Sequence, residues 1–376
     1  MGGGEVPVSA PLFLYGTLCH APLREVVLGL GHLVREAALP GYRVHWAEGG
    51  DYPVIVPGAG QATGLLVEGL DAEARARADL FERGFGYELR EVSVEVEGGG
   101  AVAALAYMPE VEMAPGPAWD LASWVENWGA IWVDAAREAL AGDHDAAALA
   151  RRWPMMKLRA ATRLRAARAP GAVLRADHTA ARDVEVIRAR HPYTEYFALE
   201  DHDLRFRRFD GTMSAPVRRA GFIGGDAATV LPYDPELDAV LVVEQFRAGP
   251  FLRGDPWPWT LEPIAGRIDP GESVDQALRR EAREEAGLKL GRLHHVADYY
   301  PTPGAVSEFL FSFVGEARLS GRGGEIGGAD HEDEDIRAHV LPFETLMRLI
   351  SSGEAGTGPL VLTAFWLAAN RGRLRG

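Results

Sequence analysis

The sequence predicts an α/β (α+β) protein in three stretches. These are a small mixed β-barrel over 1–112, a helical linker region over 113–192 and an α/β/α sandwich over 193–376. Three observations carry this. Short apolar runs bounded by glycine and proline recur before residue 110, with few helices between them. Trp119, Trp124, Trp128 and Trp132 then follow one another at helical spacing. From Glu195 strand patterns return around one strongly amphipathic helix, which calls for a sheet with helices on its faces.

In order, Pro11–Tyr15 reads as a short strand broken by Gly16-Thr17, and 23–28 as a helix. Strands are expected at 41–46, 62–68, 89–96 and 101–108, with a helix over 71–82. Pro115-Gly116-Pro117 marks a linker. The tryptophan stretch reads as helix packing rather than an aromatic binding box. Residues 135–149 and 151–168 read as helices ended by Pro170-Gly171. The basic run from Arg151 to Arg168 has no interleaved aromatics, so a solvated or salt-bridged face is expected rather than an RNA surface. Strands follow at 196–199 and 204–209 with turns at 201–203 and 210–211, then at 228–232, 240–245, 259–264, 293–300, 309–316 and 336–341. An acidic, glycine-rich loop fills 321–335, and helices at 343–351 and 359–370 close the chain. There are no internal repeats.

The net charge of −15 argues against a phosphate-backbone partner, which needs clustered positive charge. Nearly all basic residues are arginine; lysine occurs only at Lys157 and Lys289. A single cysteine, Cys19, rules out an intrachain disulfide and fits a reducing cytosol. No apolar run reaches membrane-spanning length, so a cytoplasmic protein is expected.

The chemistry concentrates in Gly266–Leu288, GRIDPGESVDQALRREAREEAGL. Ser273-x-x-Gln276 is a capping box that starts a helix, and Gly287 stops it. Val274, Leu278 and Ala282 make an apolar stripe. Glu281, Glu284 and Glu285 crowd one face, at a cost of a few tenths of a kcal/mol per like-charged pair. That repulsion makes sense where a hard cation sits, and carboxylates suit Mg2+ or Mn2+.

The full spacing resembles the Nudix box: glycine, five residues, Glu272, seven residues, then Arg280-Glu281-Ala282-x-Glu284-Glu285-x-Gly287-Leu288. Ala282 is small for the aliphatic position. The resemblance implies a hydrolase that splits a diphosphate linked to another group, with two or three divalent ions. Flanking motifs, Glu244-Gln245-Phe246-Arg247, Glu262 to Gly266, Pro301 to Glu308 and Glu332 to Ile336, resemble the ADP-ribose pyrophosphatase branch over roughly 204–370. A Nudix domain behind an N-terminal partner of the kind described next looks like the group labelled with tellurite resistance.

That branch implies cleavage of ADP-ribose to AMP and ribose 5-phosphate. Glu281, Glu285, the Ala265 carbonyl and Glu334 would hold metal. Glu332 would be the general base, with Asp333 or Glu334 as alternatives. Arg247 would contact the diphosphate unless it closes a salt bridge, and Arg218 and Glu308 the ribose or adenine side. Homodimers with shared sites are common there. Rival readings are another nucleoside diphosphate derivative such as an NDP-sugar or NADH, an oxidised triphosphate, or a non-catalytic sensor. The proline and the acidic loop favour ADP-ribose or an NDP-sugar.

Near the N-terminus, Leu12-Phe13-Leu14-Tyr15-Gly16-Thr17-Leu18, Tyr52-Pro53, Gly64-Leu65-Leu66 and Asp79-Leu80-Phe81-Glu82 resemble the gamma-glutamylcyclotransferase-like, AIG2-like family. The resemblance implies that Tyr15, Gly16 and Thr17 offer backbone N–H groups to substrate, and that Glu82 is a general acid/base. Arg83 stands where glycine commonly follows that glutamate. A bifunctional protein is the corresponding alternative.

Overall fold

In β1 (Leu12–Leu14) successive side chains go to opposite sides, Phe13 into one apolar cluster and Leu12 and Leu14 into another. The same alternation builds β2 (Leu33–Ala47), β3 (Pro53–Glu68), β4 (Tyr87–Val96) and β5 (Gly100–Pro109). The computed structural model describes residues 10–142, 145–168, 174, 178–324, 326–328 and 334–376. They fall into two units: one takes the chain to Ala176 with Thr194–Tyr196, the other takes Asp177–Tyr193 and Phe197–Gly376.

In the first unit the strand order is β3-β1-β5-β4-β2, and β2 pairs back onto β3, so the sheet closes as a barrel. β1 and β5 are parallel and their other pairings antiparallel, giving the mixed barrel expected. A Cβ on Gly64 would stand 2.0 Å from the Leu14 carbonyl oxygen, so β3 reaches β1 only through glycine. Phe13, Leu39, Ile55, Leu66 and Ala106 fill one cluster. The other joins Leu12, Leu14 and Val67 to α1 (Ala21–Leu28) and α2 (Ala72–Arg83).

That second cluster corrects the expectation of a separate helical linker. Strand β6 (Pro115–Ala118) pairs with β2 where a linker was expected. Helices α3 (Leu121–Trp124), α4 (Ala130–Ala141) and α5 (Ala146–Ala167) follow, with a π turn at Val125–Gly129. Trp124, Trp132, Trp153 and Met156 are buried with Leu12, Phe81 and Leu105, so these helices finish the barrel's second core. The tryptophans pack edge to face, Trp124 to Trp132 at 5.7 Å and Trp132 to Trp153 at 5.0 Å. The basic run is salt-bridged within this unit: Arg159 bonds Glu138 (2.9 and 2.6 Å), and Arg163 bonds Asp134 (2.6 Å) and Glu138 (2.9 Å). Pro170-Gly171 lies outside the described residues.

The second unit begins before 193, another departure. After α6 (Ala180–Asp183), β7 (Val184–Thr194), β8 (Ala198–Phe206) and β9 (Val217–Ile223) form a three-stranded sheet. β8 runs through 201–203, where the acids suggested a turn. Asp201 and Asp203 are instead neutralised on the sheet by Arg218 and Arg190. Then come β10 (Ala227–Asp234), β11 (Ala239–Phe246), α7 (Ala248–Arg253), β12 (Trp259–Glu262), β13 (Ile264–Arg267) and α8 (Val274–Ala286). β14 (Leu293–Tyr299), β15 (Leu310–Glu316), β16 (Ile326–Gly327), β17 (Ile336–Pro342), α9 (Phe343–Ser352) and α10 (Gly358–Arg375) complete it.

The sheet order is β14-β15-β10-β11-β17-β16, with β12 on β11 and β13 on β10. Alternate residues of β10 and β11 go to opposite faces. Val230, Leu241 and Val243 meet Leu278 and Ala282 of α8, whereas Leu231, Val240 and Val242 meet Leu346, Leu360 and Ala364 of α9 and α10. This is the expected α/β/α sandwich. No described helix is long and apolar enough to cross a membrane.

Candidate active site

Helix α8 is built as its sequence demands. Ser273 Oγ accepts from the Gln276 N–H and the Gln276 side chain accepts from the Ser273 N–H, a complete capping box. Gly287 ends the helix in the left-handed region at φ 55°. Leu278 and Ala282 anchor it on the sheet, which places Glu281 and Glu285 on the buried side at 9% and 1% exposure, while Glu284 stays exposed. Arg280 ties the motif together. It bonds Glu281 Oε1 (2.6 Å), Glu284 Oε2 (3.1 Å), both Glu272 oxygens (3.1 and 3.0 Å) and the Arg267 carbonyl (2.9 Å).

A Cβ on Gly266 would stand 1.8 Å from Glu281 Oε1, so the carboxylate lies against the β13 backbone beside Ala265. Burial pushes the Glu281 carboxyl up to about 7 despite Arg280, and burial together with Glu281 and Glu334 pushes Glu285 well above the carboxylate range. Glu285 Oε2 is buried without a hydrogen-bond partner. An orphaned carboxylate oxygen among other acids is a group built for a cation. The described residues hold no complete cluster of three ligating side chains. Glu332, chosen from the sequence as base, lies outside the described residues with Asp333. Glu334 is described, and its charge raises both Glu281 and Glu285.

Arg247 forks onto Glu262, Nε to Oε1 and Nη2 to Oε2, both at 2.9 Å. The salt bridge is therefore present. It holds the guanidinium, 41% exposed, where Glu285 and Glu334 act on it. Burial raises the Glu308 carboxyl, and the charges of Arg267 and Arg247 oppose that rise. Arg218 does not join this group: it forks onto Asp201 (2.9 and 2.8 Å from Nε) with its side chain 70% exposed. It lies on the face of β9 that carries Phe222, four residues and roughly 13 Å away. Phe222 stacks at 4.8 Å on Phe197, over which Arg267 lies at 5.2 Å. Sequence reasoning missed this aromatic pair; its only signal was Phe in a polar strand.

The first unit holds a second site. Tyr15, Gly16, Thr17, Tyr52, Phe81, Glu82, Phe85, Tyr87, Tyr107 and residues of α4 and α5 enclose a cavity of about 290 Å³. Glu82 faces Tyr15, Tyr87 and Tyr107, and burial alone pushes its carboxyl up to about 7. The phenols are spent: Tyr15 donates to the Tyr107 carbonyl (2.7 Å), Tyr87 to Pro53 (3.0 Å) and Tyr107 to Asp79 (2.7 Å).

Comparison with known proteins adds to this geometry. Residues 225–361 match the NUDIX domain model, and 12–126 match the model of gamma-glutamyl cyclotransferase, AIG2-like. An Escherichia coli (strain K12) ADP-ribose pyrophosphatase is 39% identical over 193 residues, 51% of this chain and 91% of the relative. The chain belongs to the Nudix family. A Haemophilus influenzae ADP-ribose pyrophosphatase is 32% identical over 200 residues, covering 53% of this chain and 92% of its own. A GDP-mannose pyrophosphatase of Enterobacter sp. (strain 638) is 29% identical over 184 residues, 49% and 94%. A solved structure titled "Crystal structure of ADP compounds hydrolase" covers 52% of this chain and 98% of its own at 21% identity, with a TM-score of 0.39.

The Nudix match contains α8, Arg247, Glu262, Glu308 and Glu334, but Arg218 precedes it. Glu262 and Arg280 are the supporting residues of this Nudix site. Glu262 was legible only as part of a flanking motif. Arg280 was legible as a fixed position of the box, without its role of holding three carboxylates.

Proposed function

We propose that the second unit hydrolyses ADP-ribose to AMP and ribose 5-phosphate. The observation that carries this is the buried oxygen of Glu285 left without a partner, where the charges of Glu281 and Glu334 act on the same carboxyl, beside the anchored Arg247. The names of the more similar relatives favour ADP-ribose over a GDP-sugar. Glu281, Glu285, Glu334 and the Ala265 carbonyl would hold Mg2+ or Mn2+, two or three ions. When bound, such ions neutralise diphosphate charge and acidify water. The protein supplies the rest. Arg247, fixed by Glu262, presents planar donors to phosphate oxygens. Glu332 takes the proton of the attacking water. Phe197 and Phe222 offer a stacking surface for the base, with Glu308 and Arg267 beside it and Arg218 farther along β9.

A homodimer fits the exposed apolar residues of β7, Val184, Val186, Ile187 and Tyr193, and a cytoplasmic setting fits the lone thiol. The test is product analysis with purified protein, Mg2+ and ADP-ribose beside Glu285→Gln. AMP and ribose 5-phosphate from the parent alone are expected. Turnover of GDP-mannose or another diphosphate, and not of ADP-ribose, would overturn the substrate.

The cavity favours a second reading for the first unit, an intramolecular cyclotransfer on γ-glutamyl amides. The substrate's amine nitrogen attacks its own γ-carbonyl carbon, forming the lactam C–N bond as the amide C–N bond breaks. Glu82 takes the proton from the attacking nitrogen and returns it to the leaving amine. A carboxyl poised near 7 suits both transfers. Release of 5-oxoproline by the parent and not by Glu82→Gln is the expected result, and equal release by both would overturn it.

A further inference from the structure

One wall of the Glu82 cavity comes from chain beyond the matched cyclotransferase-like stretch, which ends at 126. Ala150, Trp153, Pro154 and Lys157 of α5 line it, at spacings of three, four and seven, so a single helix face is turned to the cavity. Two polar groups on this face are unusual. Trp153 is 4% exposed, yet its Nε1–H is buried without a partner, a costly arrangement unless a ligand supplies an acceptor.

Lys157 is the sole basic residue among those lining the cavity. Its ammonium is held by Asp51 Oδ2 at 2.5 Å and lies 5.6 and 5.8 Å from the ring centroids of Trp128 and Trp132. Asp51 is itself fixed by the Trp132 Nε1–H at 3.1 Å. One ammonium can donate three hydrogen bonds. The Tyr15, Tyr87 and Tyr107 hydroxyls and the Trp132 indole already donate to the protein. On the α5 wall the donors left facing the cavity are thus Trp153 Nε1–H and Lys157, one helical turn apart.

We propose that Trp153 and Lys157 form a carboxylate subsite that makes this cavity select small amides with an anionic tail. Trp153 binds one acceptor oxygen and Lys157 the other or the charge, while the amide is presented to Glu82. The proposal rests on the cyclotransfer reading for the amide class but not for the subsite itself.

The test uses the full chain and a matched pair of probes, γ-glutamylglycine with a carboxylate tail and γ-glutamylethylamide with a neutral one. Calorimetric binding and 5-oxoproline release are measured for each. The parent is expected to prefer the carboxylate tail roughly ten- to a hundredfold, the range of a charge-assisted hydrogen bond. Trp153→Phe, which keeps a ring and loses the N–H, should reduce that ratio severalfold. Lys157→Met should bring it near one, and Lys157→Arg should restore it. Because Lys157→Met strands Asp51, the paired variant Asp51→Asn/Lys157→Met is measured beside it, with melting curves to verify folding. Preferential binding without turnover would sink the cyclotransfer reading and leave the subsite standing. No preference in the parent, no binding of either probe, or a ratio unmoved in the folded variants would overturn the subsite.

Discussion

Replacing Glu82 by Gln should stabilise the first unit increasingly above about pH 4.5 and most at neutral and alkaline pH. The carboxyl is carried from 4.5 to about 7 by burial among Tyr15, Tyr87 and Tyr107. Its folded-state value lies above its unfolded one, so between these two pH values the folded chain binds more protons. Stability from this group is therefore complete below about 4.5 and is lost as pH rises through 7. At about 1.4 kcal/mol per pH unit, that loss reaches about 3 kcal/mol. Gln has the shape of the neutral acid and no proton to lose. Parent and Glu82→Gln should match near pH 4.5 and diverge by up to about 3 kcal/mol by pH 8. Urea unfolding at four pH values, followed by tryptophan fluorescence, measures this. Trp46, Trp119, Trp124, Trp128, Trp132 and Trp153 all report on this unit. A difference that stays constant from pH 5 to pH 8 would refute the account of Glu82 as a carboxyl neutralised by its cavity.

The second unit yields further expectations. Mg2+ at about 100 times its dissociation constant should stabilise it by about 2.7 kcal/mol. At a fixed Mg2+ concentration the gain should grow from pH 5.5 to pH 8, because the ion must displace protons from Glu281 and Glu285; melting curves with Mg2+ or EDTA read it. Glu285→Gln should raise the melting temperature without metal at neutral pH, by removing the cost of protonating a buried carboxylate on folding, and lower turnover more than about a hundredfold. Gly266→Ala drives a methyl group to 1.8 Å from Glu281 Oε1 and should abolish turnover while circular dichroism stays native. Ser273→Ala removes half the capping box and should cost about 1 kcal/mol, or about 2–4 °C in melting temperature, with KM unchanged.

The parts of the second unit's site that were legible are those whose physics is local. A capping box, a terminal glycine and acids at helical spacing are complete within Ser273–Gly287, and the structure realises each. Arg247 was legible as a residue, but its partner Glu262 lies across the β11–β12 pairing, a register that residue spacing does not encode. The 201–203 turn failed for the same reason, since Asp201 and Asp203 look like turn residues until the arginines opposite them are known. The tryptophan stretch reads as helix packing between domains; its helices pack within the first unit, and Trp132 also lines the cavity. What spacing could not show is that the packing partner is the barrel, so that α5 forms a cavity wall rather than part of a linker.

Glu82 and Glu285 show why a raised carboxyl does not by itself name a chemistry. Burial is the largest cause for both. Around Glu285 the next causes are other acids, Glu281 and Glu334, and one carboxylate oxygen lacks a donor. Protonation relieves such a group incompletely, because the neighbours still repel; a divalent cation relieves all of them at once. Around Glu82 no second carboxylate contributes, and phenols whose hydrogens are committed elsewhere surround it. A single proton satisfies that group, and it can be given up or taken near pH 7. The acids that surround a buried acid, rather than its burial, separate a site for metal from a site for proton transfer. Adding a second carboxylate to the cavity, as in Phe85→Glu, should therefore push Glu82 higher still, so that the stability difference made by Glu82→Gln still opens near pH 4.5 but grows larger and levels off at a higher pH. A difference of unchanged size and unchanged upper limit would break the distinction.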